Sequence, residues 1–327
     1  MLQRLAVTLS IVYLAWYCWS TRYARRSERV LCWCFPSLGF LLRSLGPLLS
    51  VHYQLVLDKS YAIRKRMGWP YYNESADASQ SIFSWHPHSA LTVMPFTFFQ
   101  PSEVFGNNVF IGVSKVLYMI PGLREVLMIG NCRVADEKVL GELLEKGRSI
   151  MLQPGGVYEQ VRFTDDHEVA YFSANLGFLR KAVRNGVQVV PCYSFGENQL
   201  YKARPDRRRS SAFLSRLGLP TPAASGKFGL PAGLFCLPGE PKLVVGAAIP
   251  VERAEAAEEN LAVKRLFGKY LKTLRVIWRD HCDHLPQEVS RKGLRCIYRR
   301  RDGGEIASDG EETDERLLEA FAASFSK

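Results

Sequence analysis

His86, Pro87, His88 and Ser89 form a contiguous block directly after the apolar run Ile82-Phe83-Ser84-Trp85. Only six histidines occur in the chain, and one proline separates these two. In a strand, residues i and i+2 share a face, so both imidazoles would point into one site. The proline stiffens the end of such a strand and removes a ladder donor. Imidazole titrates near neutral pH, which suits it to take a proton from a hydroxyl. A turn with one packed and one solvated histidine is the plainer alternative, and the block alone leaves both open.

A second block, Gln153-Pro154-Gly155-Gly156-Val157-Tyr158-Glu159, follows another apolar run. Paired glycines let the backbone approach a ligand closely and present amide donors. A carboxylate beside a histidine fixes the imidazole tautomer and stabilises the imidazolium formed on proton abstraction, a role open to Glu159. The alternative is a strand-to-helix turn whose glutamate favours the helix N-terminus. No G-x-S-x-G, G-x-G-x-x-G or P-loop occurs, which argues against an ordinary serine esterase and against nucleotide-binding motifs. His281 and His284 flank Cys282 and Asp283, but this spacing without His-Glu-x-x-His reads as structural, so no metal is expected.

These blocks need a frame that brings loops together. Strands are predicted at 81–85, 108–112, 149–153, 187–193 and 243–249. Between them lie helical patterns. Asp136 is a helix cap with Val139, Leu140, Leu143 and Leu144 on one face, ending at Gly147. Ser173 is read as a second cap, with Leu176, Leu179, Ala182 and Val183 inward and an end at Asn185-Gly186. Strands alternating with helices predict an α/β fold with a largely parallel sheet flanked by helices. Sites in such sheets gather beyond the strand carboxyl ends, where His86 and His88 would lie. A long amphipathic helix falls between Val251 and Cys282, with Val263 to Trp278 supplying the apolar face and Lys264, Lys269, Lys272, Arg275 and Arg279 the other. It is read as a core helix with a solvated charged face.

The 327 residues carry a net charge of +11, and 47% are hydrophobic. Residues 302–327 contribute −6 of that charge, so the rest is strongly basic, which favours anionic partners. That acidic stretch reads as a flexible tail (301–327) after a domain spanning 81–300. The eight cysteines are scattered, with no disulfide framework, which points to a reducing compartment. Residues 1–57 hold two apolar stretches, each short against the ~20 residues that span a bilayer, with Arg22, Arg25, Arg26 and Arg29 between them. They are read as a shallow, re-entrant membrane anchor, followed by a polar linker (58–80). A buried hydrophobic hairpin is the alternative. Nucleic acid is not an expected partner, because the arginines lack an aromatic stacking platform.

With these blocks in order, the chain resembles the type 2 diacylglycerol acyltransferase family, which includes monoacylglycerol and wax-alcohol acyltransferases. Residues 82–89 resemble its histidine-proline-histidine-glycine block, with Ser89 in place of the glycine. Ile120-Pro121-Gly122-Leu123-Arg124-Glu125 resembles its proline-arginine block, and residues 154–159 its glycine-glycine-glutamate block. The longest match runs from Gly177-Phe178 through Val189-Val190-Pro191-Cys192-Tyr193-Ser194-Phe195-Gly196-Glu197-Asn198, although Ala174-Asn175-Leu176 replaces the basic residues often found before it. The resemblance covers residues 80–250 and marks a divergent member.

It implies a glycerolipid-acyltransferase-like fold and transfer of an acyl group from acyl-coenzyme A to a lipid hydroxyl, diacylglycerol first. Monoacylglycerol, a fatty alcohol, or an inactive lipid-binding protein are the alternatives. A lysophospholipid acyltransferase is disfavoured, because the histidine-x4-aspartate pattern is absent: Leu91 and Val93 stand where the aspartate would. His88 is the expected base, with His86 orienting or substituting and Glu159 supporting the imidazole. Gly155, Gly156 and Ser89 are expected to position substrate or stabilise the thioester oxyanion. Lys202, Arg204, Arg207, Arg208 and Arg209 are candidates for the phosphates of coenzyme A, a co-substrate rather than a resident cofactor. Expected partners are acyl-CoA, a neutral lipid acceptor and the membrane, at the cytosolic face of the endoplasmic reticulum or on lipid droplets; self-association is left open.

Overall fold

The computed structural model describes residues 8–14, 52, 54–57, 80–92, 109–129, 131–216, 221–229 and 236–325. Its main sheet contains β1 (Gln54–Leu57), β2 (Ser81–His86), β3 (Val109–Val113), β4 (Cys132–Val134), β5 (Ser149–Leu152), β7 (Gln188–Phe195) and β10 (Lys242–Val245). A second sheet holds β6 (Glu168–Phe172), β11 (Leu294–Arg299) and β12 (Glu305–Ser308), and β8 (Lys202–Ala203) pairs with β9 (Ala224–Ser225). The main sheet runs β1-β10-β7-β2-β5-β3-β4 and is parallel except where β10 meets β7. The predicted α/β class and parallel sheet are therefore present.

The helices are α1 (Leu123–Ile129), α2 (Glu137–Glu145), α3 (Gly156–Gln160), α4 (Gly177–Asn185), α5 (Arg208–Arg216), α6 (Glu259–His281), α7 (Gln287–Ser290) and α8 (Glu311–Ala323). The strands read as near-continuous apolar runs because both faces of the sheet are covered. Phe83, Trp85, Ile111, Met151 and Val190 pack on one side with Leu127 and Met128 of α1. Ile82, Ile150 and Val189 pack on the other with Leu179 of α4 and Phe267, Tyr270 and Leu274 of α6. β2 lies in the middle, so all six of its residues are buried.

Asp136 caps α2 as expected, accepting the Lys138 amide at 2.9 Å. Ser173 does not cap α4. The chain reaches that helix through Leu176, which takes a left-handed backbone (φ 44°) while its side chain is fully buried. That backbone costs roughly 1–2 kcal/mol for an L-residue. Burial of a leucine recovers about 1.5–3 kcal/mol, so the core decides where the helix starts.

Helix α6 buries its expected apolar face, with one exception to its charged face. Arg275 is buried, pairs with Asp314 at 2.9 Å, and donates to the carbonyls of Leu294 and Ser308. Its partner lies in the stretch expected to be a flexible tail. That stretch is folded: β12 extends the second sheet, and α8 lays Leu317 and Phe321, both fully buried, against α6 and β11. Acidic composition had masked the apolar spacing Leu317-Leu318-Phe321, whose burial outweighs the solvation of the carboxylates on the outer face.

Residues 54–57, expected to belong to the anchor, form strand β1 beside β10. The rest of the expected anchor, apart from 8–14 and 52, and the linker, apart from 80, lie outside the described residues. Among the described residues no helix is long and apolar enough to cross a membrane. A short helix at 8–14, outside the numbered set, meets the body through Tyr13, whose hydroxyl accepts the Gly122 amide at 2.9 Å and donates to Glu125 at 3.2 Å.

Candidate active site

β2 and β5 are parallel neighbours, so the loops that follow them leave the same edge of the sheet. The His86–Ser89 turn and the Gln153–Glu159 turn therefore face each other, as their sequences predicted. Glu159, in the first turn of α3, folds back toward the histidines. Its Oε1 accepts the His88 amide at 2.5 Å and its Oε2 accepts the Tyr171 amide at 3.3 Å. Gly155 makes this packing possible. A Cβ there would lie 2.6 Å from Glu159 Cβ and closer still to Oε2. Gly156 turns the chain with φ +51° and donates its amide to the Gln153 carbonyl at 3.1 Å. That amide closes the turn, so of the two roles expected of Gly156 the geometry favours positioning over donation to an oxyanion.

His88 is half-buried, and its Nδ1 lies 3.1 Å from the Ser89 carbonyl. A carbonyl can only accept, so Nδ1 carries the hydrogen and Nε2 keeps its lone pair. Thr92 Oγ1 stands 3.5 Å from the same Nδ1. Gln153 holds that threonine at 2.9 Å and reaches the Pro87 carbonyl at 3.5 Å, which ties the two turns together. Burial lowers the His88 pKa to about 4, offset in part by the bond to Ser89. His88, Glu159, Tyr171 and Asn198 border a cavity of about 10 Å³, space for one water molecule.

His86 differs. It is fully buried, neither ring nitrogen has a hydrogen-bond partner, and its ring meets Phe172 at 5.3 Å and Tyr270 at 6.2 Å. Its Nδ1 is 3.9 Å from Glu159 Oε2, beyond hydrogen-bond length. Burial lowers its pKa to about 3, with His88 adding to the effect. Burial also lifts Glu159 to about 8, against the pull of the two amides. Burial thus works against the charged form of both groups.

The two imidazoles do not share one site. His86 is the last residue of β2 and follows Ser84 onto the α6 side, where Ser84 meets the Tyr270 hydroxyl at 2.6 Å. His88 lies beyond the strand, past the proline, where the two-residue period no longer applies. Ser89 is another correction: its side chain is fully buried and donates to the Glu197 carbonyl at 3.2 Å, pinning the turn to the loop after β7. Glu159 also supports His88 by a route not foreseen, through the backbone amide and not the ring.

The expected phosphate contacts lie on one segment. Lys202 pairs with Asp165 at 3.2 Å and Arg204 with Asp206 at 3.0 Å. Arg207, Arg208 and Arg209 are exposed at the start of α5. Sequence reasoning missed β6, which supplies the Tyr171 amide and a buried carboxyl, Glu168. That carboxyl accepts from Tyr193 and Asn198 at 2.9 Å and from Gln199 at 3.0 Å. Burial raises it to about 7. The run Val169-Ala170-Tyr171-Phe172 was the signal that would have found this strand.

The chain matches the family model "Diacylglycerol acyltransferase" over residues 72–291. Among its relatives, diacylglycerol O-acyltransferase 2B of Umbelopsis ramanniana is 26% identical over 223 residues, covering 62% of this chain and 63% of that protein. Diacylglycerol O-acyltransferase 2 of Mus musculus is 31% identical over 130 residues, covering 37% and 34%. The Dictyostelium discoideum protein of that name is 23% identical over 290 residues, covering 84% and 82%. The chain thus spans from about a third to just under two thirds of the length of the first relatives it matches. The 1-acyl-sn-glycerophosphate acyltransferase PlsC of Thermotoga maritima aligns with a TM-score of 0.40 at 17% identity, over 84% of this chain and 98% of that one.

Proposed function

The chain belongs to the diacylglycerol acyltransferase family, and from that premise we propose that it transfers a fatty acyl group from acyl-coenzyme A to the hydroxyl of diacylglycerol, giving triacylglycerol. The observation that carries the reading is His88, half-buried at the cavity edge with Nδ1 tied to a carbonyl and Nε2 left as the basic nitrogen. An alcohol is a poor nucleophile until its proton is removed as it attacks. His88 Nε2 takes that proton while the alcohol oxygen bonds to the thioester carbon. The tetrahedral centre then collapses, the carbon–sulfur bond breaks, and the imidazolium returns the proton to the departing sulfur. Ester and free coenzyme A result, and His88 is neutral again.

Glu159 is a positioning residue in this scheme. Its bond to the His88 amide sets where the base stands. His86 fills the aromatic layer behind the turn and leaves the proton transfer to His88.

The acceptor is insoluble, so the site works at a membrane surface; the cytosolic face of the endoplasmic reticulum or a lipid droplet fits. Supporting this are Leu9, Ile11, Val12 and Leu14, with Met119 and Val126 on the segment that Tyr13 touches, all exposed. The test is full-length protein in mixed micelles with labelled acyl-CoA, offered diacylglycerol, monoacylglycerol and a fatty alcohol in parallel. Triacylglycerol that forms with the natural chain and is lost with His88→Ala supports the reading. Equal turnover by His88→Ala refutes it.

A further inference from the structure

One cavity stands beside the histidine turn and not within it. It encloses about 690 Å³, inside the 300–1,000 Å³ range of small-molecule sites. Its walls come from the segments that follow β4 and β5, from α4 after β6, and from Asn260 of α6, Arg301 just beyond β11 and the C-terminal Ser324 and Phe325. In open α/β sheets, ligands collect outside strand carboxyl ends, and this cavity occupies that position.

Its charge is one-sided. Arg180, Lys181, Arg184 and Arg301 line it against a single carboxylate, Glu137, which pairs with Arg184 at 2.9 Å and leaves Lys181 and Arg301 as the cations without a carboxylate partner among the described residues. Glu259 lies behind the wall and holds Arg180 at 2.5 Å and Arg184 at 2.8 Å, which fixes two guanidinium groups in place. Lys181 donates to the Glu137 carbonyl at 2.8 Å and forms no ion pair among the described residues; burial lowers its pKa. Arg301 also forms no ion pair among the described residues and is exposed. The N-terminus of α4 opens into the same space without a side-chain cap, adding its dipole to the field. Phe325 and Phe178 supply an apolar wall. Two or more phosphates joined to a flat ring match this lining.

Gln153 connects this cavity to the proposed chemistry. It lines the cavity, and its amide donates to Thr92 beside His88. A ligand anchored there by its phosphates can lay its other end across the base. We propose that this cavity receives the phosphorylated nucleotide end of acyl-coenzyme A, and that the Lys202–Arg209 segment lies outside that site. The proposal rests on the acyltransferase reading for its ligand.

The experiment titrates full-length detergent-solubilised protein with unacylated coenzyme A by calorimetry, and in parallel measures turnover of palmitoyl-CoA and of palmitoyl-pantetheine, which lacks the nucleotide. Arg301→Glu, whose side chain is exposed and leaves the core untouched, and Lys181→Glu are compared with Arg208→Glu/Arg209→Glu. Each cavity variant is expected to weaken coenzyme A binding about tenfold or more, as loss of a charge-assisted phosphate contact does. The KM for palmitoyl-CoA rises with kcat kept, while palmitoyl-pantetheine turnover is unchanged. Undiminished binding by Arg301→Glu and Lys181→Glu overturns the site, as does a loss confined to the Arg208→Glu/Arg209→Glu control. So does a natural chain that binds no coenzyme A. Binding that depends on the cavity, with no ester formed from any acceptor, supports the site and overturns the reaction.

Discussion

Gly155→Ala tests the geometry of the site without replacing a titratable group. The new methyl would stand 2.6 Å from Glu159 Cβ, which is fixed to the helix backbone and cannot swing aside as a side-chain tip would. Glu159 must therefore shift, and the amides of His88 and Tyr171 lose their acceptor. A buried donor left unsatisfied costs about 1–3 kcal/mol, so two such donors, with partial relaxation, predict about 2–4 kcal/mol of lost stability. His88 loses its tether at the same time, and under its proposed role as base a displacement of about 1 Å costs on the order of a hundredfold in rate. Urea denaturation and micellar turnover measure the two effects. Glu159→Ala removes the carboxylate that Gly155→Ala displaces, so the double variant should lose little more than the worse single variant. Gly155→Ala with stability within about 0.5 kcal/mol and turnover within about threefold of the natural chain, a surface-like outcome, would refute the packing argument.

Other perturbations read the same architecture. With the folded His88 pKa at about 4, kcat/KM should fall on the acid side near pH 4 and stay level toward neutrality; an acid limb near 6.5 in the pH–rate profile would show an ordinary, solvated imidazole. Glu159 is raised to about 8 in the fold from 4.5, so the folded state holds the proton more tightly, and stability falls as pH rises from 4.5 to 8. Glu159→Gln should flatten denaturation midpoints across that window, and an unchanged slope contradicts the shift. His86→Ala should cost roughly 2–4 kcal/mol by opening a cavity against Phe172 and Tyr270, read as a lowered melting temperature. Asp314→Ala should cost about 3–5 kcal/mol by leaving Arg275 buried without its partner; a loss under about 1 kcal/mol by chemical denaturation argues that the C-terminal helix is not part of the core.

Much of the frame was legible because parallel strands write themselves as apolar runs. The five predicted strands all appear, and the α2 cap and the buried stripe of α6 were readable from spacing alone. What escaped were elements whose local signal and tertiary role diverge. Helix α8 hides three apolar anchors among carboxylates. β6 begins at Glu168, a carboxyl that only distant donors on Tyr193, Asn198 and Gln199 make tolerable. The site was legible as two loops on one edge, since that follows from parallel strands. Which imidazole faces the cavity was not, because it depends on where β2 ends relative to Pro87. Nor could spacing show that Glu159 grips a backbone amide, since any residue supplies that donor.

The central place of β2 also governs how the chain comes to be folded. Ser81 pairs with Gln188, 107 residues later, and the whole strand needs β7 along one edge and β5 along the other. During synthesis, Ile82, Phe83 and Trp85 emerge long before that edge exists. Pairings this distant in sequence are slow to form, and an uncovered apolar strand invites pairing with other chains. The His86–Ser89 turn is therefore complete only once β7 pairs with β2 and α6 covers its rear face. Termination before residue 195 would cut β7 short and leave that edge of β2 uncovered, a fragment expected to aggregate and not to retain part of the activity.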